Sequence, residues 1–212
     1  MTLFVIGIVA CFLFGDILRR FGATAEVSRK SVHVTTCTMI AAFPLFDIGY
    51  RELMLIAGGS FLSIALLRTT VLMRSIMAVE RTSYGDLLLP LSLVIATWMD
   101  FSYPAFLAAY LVLGFSDTLA SLVGGAYGRR RYTLLGHTKS HVGSAAFFFS
   151  AFAIIAAVAM YAGGPIPIPT ALLIGVAVGA LLTLVEAFSH KGTDNLFVPL
   201  IAATVLNLWL PA

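Results

Sequence analysis

Asp117 stands in "GFSDTLASLVGGAYGRRRYTLLGHTKSHVGS", residues 114–144, where an otherwise apolar run is suited to a membrane helix. Ser121, Gly124 and Gly128 follow it at spacings of four, three and four, so the four residues share one helical face. A carboxylate inside such a segment is costly to bury and ordinarily marks an ion site, a proton path or a reaction centre. The small residues beside it also suit the close approach of two helices, and both readings stay open for Ser121. Beyond a glycine-rich turn, Gly136, His137, Lys139, Ser140, His141, Gly143 and Ser144 open the next segment. Exposed backbone N–H groups at a helix N-terminus, with a lysine alongside, make a natural phosphate site. Arg129, Arg130 and Arg131 read more simply as charges that set orientation in a membrane.

Three further clusters repeat this pattern of polar residues at the mouth of an apolar segment. In "EVSRKSVH", Glu26, Arg29 or Lys30, and His33 recur at three- and four-residue spacing. "ERTSYGDLLLP" places Glu80, Arg81, Ser83, Tyr84, Gly85 and Asp86 just ahead of another segment. "VEAFSHKGTDNLFVPL" puts Glu186 inside one helix, then Gly192, Asp194 and Asn195 at the start of the next. Asp117, Glu186 and Asp194 together suit a magnesium–nucleotide site, because Mg²⁺ takes hard oxygen ligands and completes its shell with water and substrate phosphates. A cation-coupled transporter can also hold acids at broken helices, so spacing alone does not decide between the two.

The elements that must position these residues are apolar helices. Of the 212 residues 60% are hydrophobic and 11% charged, whereas a soluble domain carries roughly a quarter of its residues charged. The expected fold is an all-α, polytopic integral membrane bundle forming a single domain over 1–212. Its spans fall near 1–15, 32–47, 52–67, 84–99, 101–123, 142–162, 168–188 and 195–210. Eight spans place twelve of the thirteen basic residues on one side, leaving only Arg51 opposite; seven remain if one short segment is re-entrant. The positive-inside rule makes the basic side cytoplasmic, so all four clusters face the cytoplasm. The first segment, with its arginines behind the apolar run, reads as a retained span rather than a cleaved leader. Cys11 and Cys37 lie in apolar segments and read as buried hydrophobes.

Taken in order, the four clusters resemble the dolichol kinase and phytol kinase family, integral-membrane polyprenol kinases that use CTP and are related to the CDP-diacylglycerol synthases. Arg29, Lys30 and His33 look like the family's Arg-Lys-x-x-His segment, and Ser83, Tyr84 and Gly85 like its Ser-Tyr-Gly segment. Asp117, Thr118, Ala120 and Gly124, then Gly136, Lys139, Ser140, Gly143 and Ser144, look like its most specific element. Glu186, Gly192, Asp194 and Asn195 look like its last. One departure is His141, where the family commonly carries glutamate, so the acidic half of the site rests on Asp117, Glu186 and Asp194.

The resemblance implies transfer of the γ-phosphoryl group of CTP, or another nucleoside triphosphate, to the terminal hydroxyl of an isoprenoid alcohol in the bilayer. Asp117, Lys139 and Asp194 would be catalytic, and Asp117, Glu186 and Asp194 would hold Mg²⁺. Arg29, Lys30, His33, Thr118, Ser121, Gly124, Gly136, Lys139, Ser140, His141, Gly143, Ser144, Gly192 and Asn195 would hold nucleotide and phosphate. Ser83, Tyr84, Gly85 and Asp86 would lie on the substrate side. No nucleic-acid partner is expected, and a homo-oligomer is left open. Within the same superfamily, cytidylyl transfer to phosphatidate is the alternative, disfavoured by the short "SHKGTDN" segment. A solute transporter is the alternative from another class. It would need a polar path, yet the outward half carries few polar residues beyond Asp47, Arg51, Glu52 and Asp100.

Overall fold

The computed structural model describes residues 1–68, 83–161 and 166–210. Glu80, Arg81, Arg74 and the first three residues of the "GGPIPIP" turn lie outside the described residues. The described chain is a helical bundle: α1 (Thr2–Arg20), α2 (Ala25–Ala41), α3 (Tyr50–Arg68), α4 (Gly85–Trp98), α5 (Tyr103–Leu111), α6 (Asp117–Tyr127), α7 (His141–Tyr161), α8 (Ile168–Phe188) and α9 (Asp194–Leu206). α5 and α6 are one continuous rod, Tyr103–Tyr127, joined through a π-helical turn at Val112–Ser116.

Five of these rods are long and apolar enough to cross a bilayer: α1, α3, α5–α6, α7 and α8. With 14 and 13 residues, α4 and α9 are apolar but shorter than the roughly 20 residues a square crossing needs. The structure is thus a multi-pass membrane bundle. α2 departs from the expected span by starting seven residues earlier, at Ala25 rather than residue 32. Thr24 caps it by accepting a hydrogen bond from the Val27 N–H at 3.3 Å, and Glu26 in its first turn suits the helix dipole. That polar extension carries Lys30 into the bundle and leaves Arg29 exposed beside it. The helix then ends at a short turn containing Pro44.

The all-helical expectation needs one correction. Arg131–Leu134 (β1) and His137–Ser140 (β2) form an antiparallel hairpin, with Tyr132 opposite Lys139 and Leu134 opposite His137. Lys139 therefore sits on a strand, and the helix expected around it begins only at His141. Aromatic and threonine residues alternate along the strands, and Leu135 and Gly136 both take positive φ, as a two-residue hairpin turn requires. The alternation leaves Arg131, Thr133 and Thr138 exposed and turns Tyr132, Leu134, His137 and Lys139 toward partly buried positions.

α5–α6 is the central rod: 61% of its apolar window is buried, against at most 39% for the other four spans. α2, α7 and α9 pack around it, while α3 pairs with α4 and α8 with α7. Away from Asp117, its neighbourhood is filled by Phe43, Tyr50, Phe106 and Tyr110, with Phe106 and Tyr110 ring centroids 4.5 Å apart. This close aromatic packing makes that part of the core dense.

Candidate active site

The π-turn in the central rod immediately precedes Asp117. Such turns interrupt the regular hydrogen-bond ladder and frequently sit at functional sites. Here the backbone comes close to α2: a Cβ built on Gly114 would lie 2.7 Å from the Cβ of Cys37. That proximity lets Lys30 of α2 donate to Asp117 Oδ2 at 2.6 Å, a pair whose residues are 4% and 7% exposed. His33 Nε2 stands 3.4 Å from the same oxygen and 3.3 Å from the carbonyl of Leu113. One turn further along α6, Ser121 donates to Glu26 at 2.6 Å, and Glu26 also receives Arg29 at 2.8 Å. Burial would raise the Glu26 carboxyl, but the hydrogen bonds from Arg29 and Ser121 hold it below the ordinary carboxylate range.

On the other side, the hairpin delivers Lys139 to Glu186 near the end of α8. The ammonium pairs with Glu186 Oε1 at 2.5 Å and also donates to the Glu186 carbonyl. Asp194 opens α9 eight residues later. It lies within electrostatic reach of Asp117, Lys30 and Lys139, and Arg29 also feels its charge. Two ion pairs, Lys30–Asp117 from α2 and α6 and Lys139–Glu186 from β2 and α8, thus lie within electrostatic reach of Asp194 at the start of α9. Among the described residues, Asp194 is the member of this group without an ion-pair partner.

The "SYG" and "KGTDN" segments dock on each other. Tyr84 N–H donates to the Lys191 carbonyl at 2.8 Å, and Asn195 Nδ2 donates to the Gly85 carbonyl at 2.9 Å. Ser83 Oγ accepts from the Gly85 N–H. Asp86 is tied to Arg68 of α3, whose guanidinium also lies 5.5 Å from the centre of the Tyr84 ring. Gly192 has φ +90°, and a Cβ there would stand 2.4 Å from the Gly85 nitrogen. Gly192→Ala is accordingly expected to cost about 3 kcal/mol or more, from left-handed strain plus the backbone clash. A lowered thermal midpoint in detergent would show it, and an unchanged midpoint would contradict the docking.

Several expected phosphate-binding residues have visible packing roles. Cβ atoms built on Gly124 and Gly143 would fall 2.8 Å from Ser140 Oγ and from the Ala120 carbonyl, respectively. These glycines therefore let α6 and α7 touch through their backbones. Ser140 Oγ accepts the Gly143 N–H at 3.1 Å, as an N-terminal cap does. Ser144 meets the hydroxyl of Tyr132 at 2.5 Å. His141 is exposed, with its ring 5.0 Å from that of Tyr132. Gly136, at φ +80°, supplies the hairpin turn. Arg129, Arg130 and Arg131 are all exposed.

Tyr132 and Arg68 are contacts the motif reading missed, as is the stack of His137 on His190 at 4.9 Å. The period-two pattern of "RYTL" and "HTKS" was the signal available for the first.

Among the described residues, no three acidic, histidine or cysteine side chains converge closely enough to hold a metal ion by themselves. The expected set of Asp117, Glu186 and Asp194 is therefore not a ready cage, because Lys30 and Lys139 occupy two of its members. The chemistry still fits Mg²⁺ arriving with phosphate. Glu186 Oε2 and Asn195 Oδ1 are buried without a hydrogen-bond partner among the described residues, as is Thr118 Oγ1 beside Asp117. Buried oxygens in that state are costly and suited to a hard cation. The charges of the central lysines and carboxylates also nearly cancel, so a polyphosphate needs a cation of its own to enter.

No protein-family model matches the chain. No solved structure matches it either. Among curated proteins, a phytol kinase of Synechocystis sp. is 33% identical over 211 residues, covering 95% of this chain and 89% of that protein. Nearly full-length similarity at this level makes the resemblance of the four motifs a relationship: the chain belongs to the phytol kinase family.

Proposed function

We propose that the protein phosphorylates the terminal hydroxyl of an isoprenoid alcohol, of the phytol, geranylgeraniol or dolichol type, using CTP or another nucleoside triphosphate. The observation that carries this reading is the pair of ion pairs Lys30–Asp117 and Lys139–Glu186, built from separate elements of a membrane bundle, with Asp194 within electrostatic reach of both. With the expected eight spans, twelve of the thirteen basic residues fall on one side, which favours a cytoplasmic site, where the nucleotide is available.

In this reading Lys30 and Lys139 exchange their carboxylate partners for phosphate oxygens when nucleotide binds. Asp117 and Glu186, with Asn195, are the residues that would hold Mg²⁺, which when bound neutralises charge on the transferring group. The alcohol oxygen forms a bond to the γ-phosphorus as the bond from that phosphorus to the β,γ-bridging oxygen breaks, leaving the nucleoside diphosphate. Asp194, which has no ion-pair partner among the described residues, takes the hydroxyl proton. The docked Ser83–Gly85 and Lys191–Asn195 segments hold Asp194 and Asn195 in place.

Two labels on one nucleotide test the reading. Purified protein is incubated with Mg²⁺ and CTP labelled separately on the γ-phosphate and on cytosine, with phytol, geranylgeraniol, dolichol, diacylglycerol and phosphatidate offered in turn. The expected result is γ label in an isoprenoid phosphate and cytosine label only in CDP. Cytosine label in lipid would instead make the protein a cytidylyltransferase.

A further inference from the structure

Two apolar cavities lie between α8 and α9. The first, of about 340 Å³, is bounded by Leu184, Val185 and Phe188 on α8 and by Phe197 and Ile201 on α9. Ser189, His190 and Thr193 close its polar end. The second, of about 390 Å³, is bounded by Leu173, Ala177 and Leu181 on α8 and by Val205 and Trp209 on the α9 side.

The two cavities follow one another along the same pair of helices. Thr193, Phe197, Ile201, Val205 and Trp209 recur every four residues, an oblique ridge that winds along α9 and the turn that follows it. The α8 wall continues from Leu181 to Leu184 across one turn. Leu173, Leu184, Phe188 and Phe197 are all about half or more exposed, so the groove opens toward lipid rather than into the bundle. Its polar end belongs to the turn that joins Glu186 to Asp194, so the groove begins where the charged site ends.

We infer that this α8–α9 groove binds the isoprenoid tail of the alcohol, with the hydroxyl at the Ser189–Thr193 end and the tail running toward Trp209. The inference rests on the proposed kinase reading and extends it to the path of the lipid. An alcohol whose oxygen must reach Asp194 has its tail at Thr193, the first residue of the α9 ridge. From there, a rise of 1.5 Å per residue gives a groove about 24 Å long to Trp209, enough for an extended diterpenoid chain. Ala177 on one wall and Val205 on the other each lie twelve residues from the polar end, about 18 Å along the groove. A long tail passes them and a short one does not.

The test uses the full chain in nanodiscs with Mg²⁺ and CTP. A geranylgeraniol analogue carrying a diazirine at its far end should label peptides containing Leu173–Val178 or Val205–Trp209. Excess geranylgeraniol should compete, and dioleoylphosphatidylcholine should not. Ala177→Trp, at an exposed wall position, should raise the KM for geranylgeraniol about tenfold while leaving that for geraniol unchanged. Labelling confined to other helices, equal competition by the phospholipid, or an unaltered chain-length preference in Ala177→Trp would each overturn the groove. In those cases wild-type turnover would persist and the kinase reading would stand. If wild-type protein transferred phosphate to no isoprenoid alcohol, the kinase reading would fall and the groove inference with it.

Discussion

Asp117→Asn is expected to lower phosphoryl transfer by about 10³-fold, and the double replacement Lys30→Met/Asp117→Asn is expected to recover stability without recovering activity. Lys30 and Asp117 are both buried and 2.6 Å apart. Removing the charge of either alone leaves the other uncompensated, a change that typically costs about 3–5 kcal/mol. The single variant would therefore lose rate for two reasons at once, and a rate alone would not separate them. The double variant does separate them, because a buried ion pair exchanged for neutral groups of similar volume is often neutral for stability or better. Thermal midpoints should fall in each single variant and return in the double, whereas single-turnover transfer of γ label should stay low in all three. Near-normal turnover in the double variant would make the pair a structural strut and remove Asp117 from the chemistry.

The reach of the sequence follows from the kind of interaction involved. Helix positions were readable because apolar runs of bilayer length carry their own signal, and α3, α4, α7 and α8 start within two residues of the expected spans. Asp117 and Glu186 were legible for a similar reason: charge in an apolar run is conspicuous without any knowledge of its partner, and Lys139 stood out as a lysine among the polar residues that precede an apolar segment. What joins them was not. Lys30 and Asp117 are 87 residues apart, and Lys139 and Glu186 are 47 apart, so pairing depends on how helices stack.

The hairpin stood nearer the surface of the sequence. "RYTL" and "HTKS" alternate as strands do, but Leu135 occupies a turn position with φ +46° where asparagine or glycine would have announced the turn. The polar run before His141 was instead read as the opening of a helix. Gly124 and Gly143 show the opposite difficulty. A glycine that admits a phosphate and a glycine that admits a neighbouring backbone look alike in one sequence, and only the contact of α6 with α7 distinguishes them.

Lys139 and Glu186 should respond differently although they form one ion pair. Lys139→Met removes the cation proposed to meet phosphate, and kcat/KM is expected to fall about 10²–10³-fold, with the nucleotide KM raised. Glu186→Gln removes a carboxylate proposed to hold Mg²⁺ and frees Lys139, so the Mg²⁺ concentration for half-maximal rate should rise about 10–100-fold. At saturating Mg²⁺ its nucleotide KM should stay near the wild-type value.

The geometry motivates the split. Lys139 hangs from a strand, where a register slip of one residue would turn it outward. Glu186 is fixed on α8 with one oxygen paired and the other without a partner among the described residues. A strut between hairpin and helix would make both variants lose stability together and leave Mg²⁺ dependence unmoved. Nucleotide titrations at several fixed Mg²⁺ concentrations read the two quantities separately. Equal losses of stability in both variants, with neither the nucleotide KM nor the Mg²⁺ dependence moved, would mean that the pair holds the hairpin and touches neither phosphate nor metal.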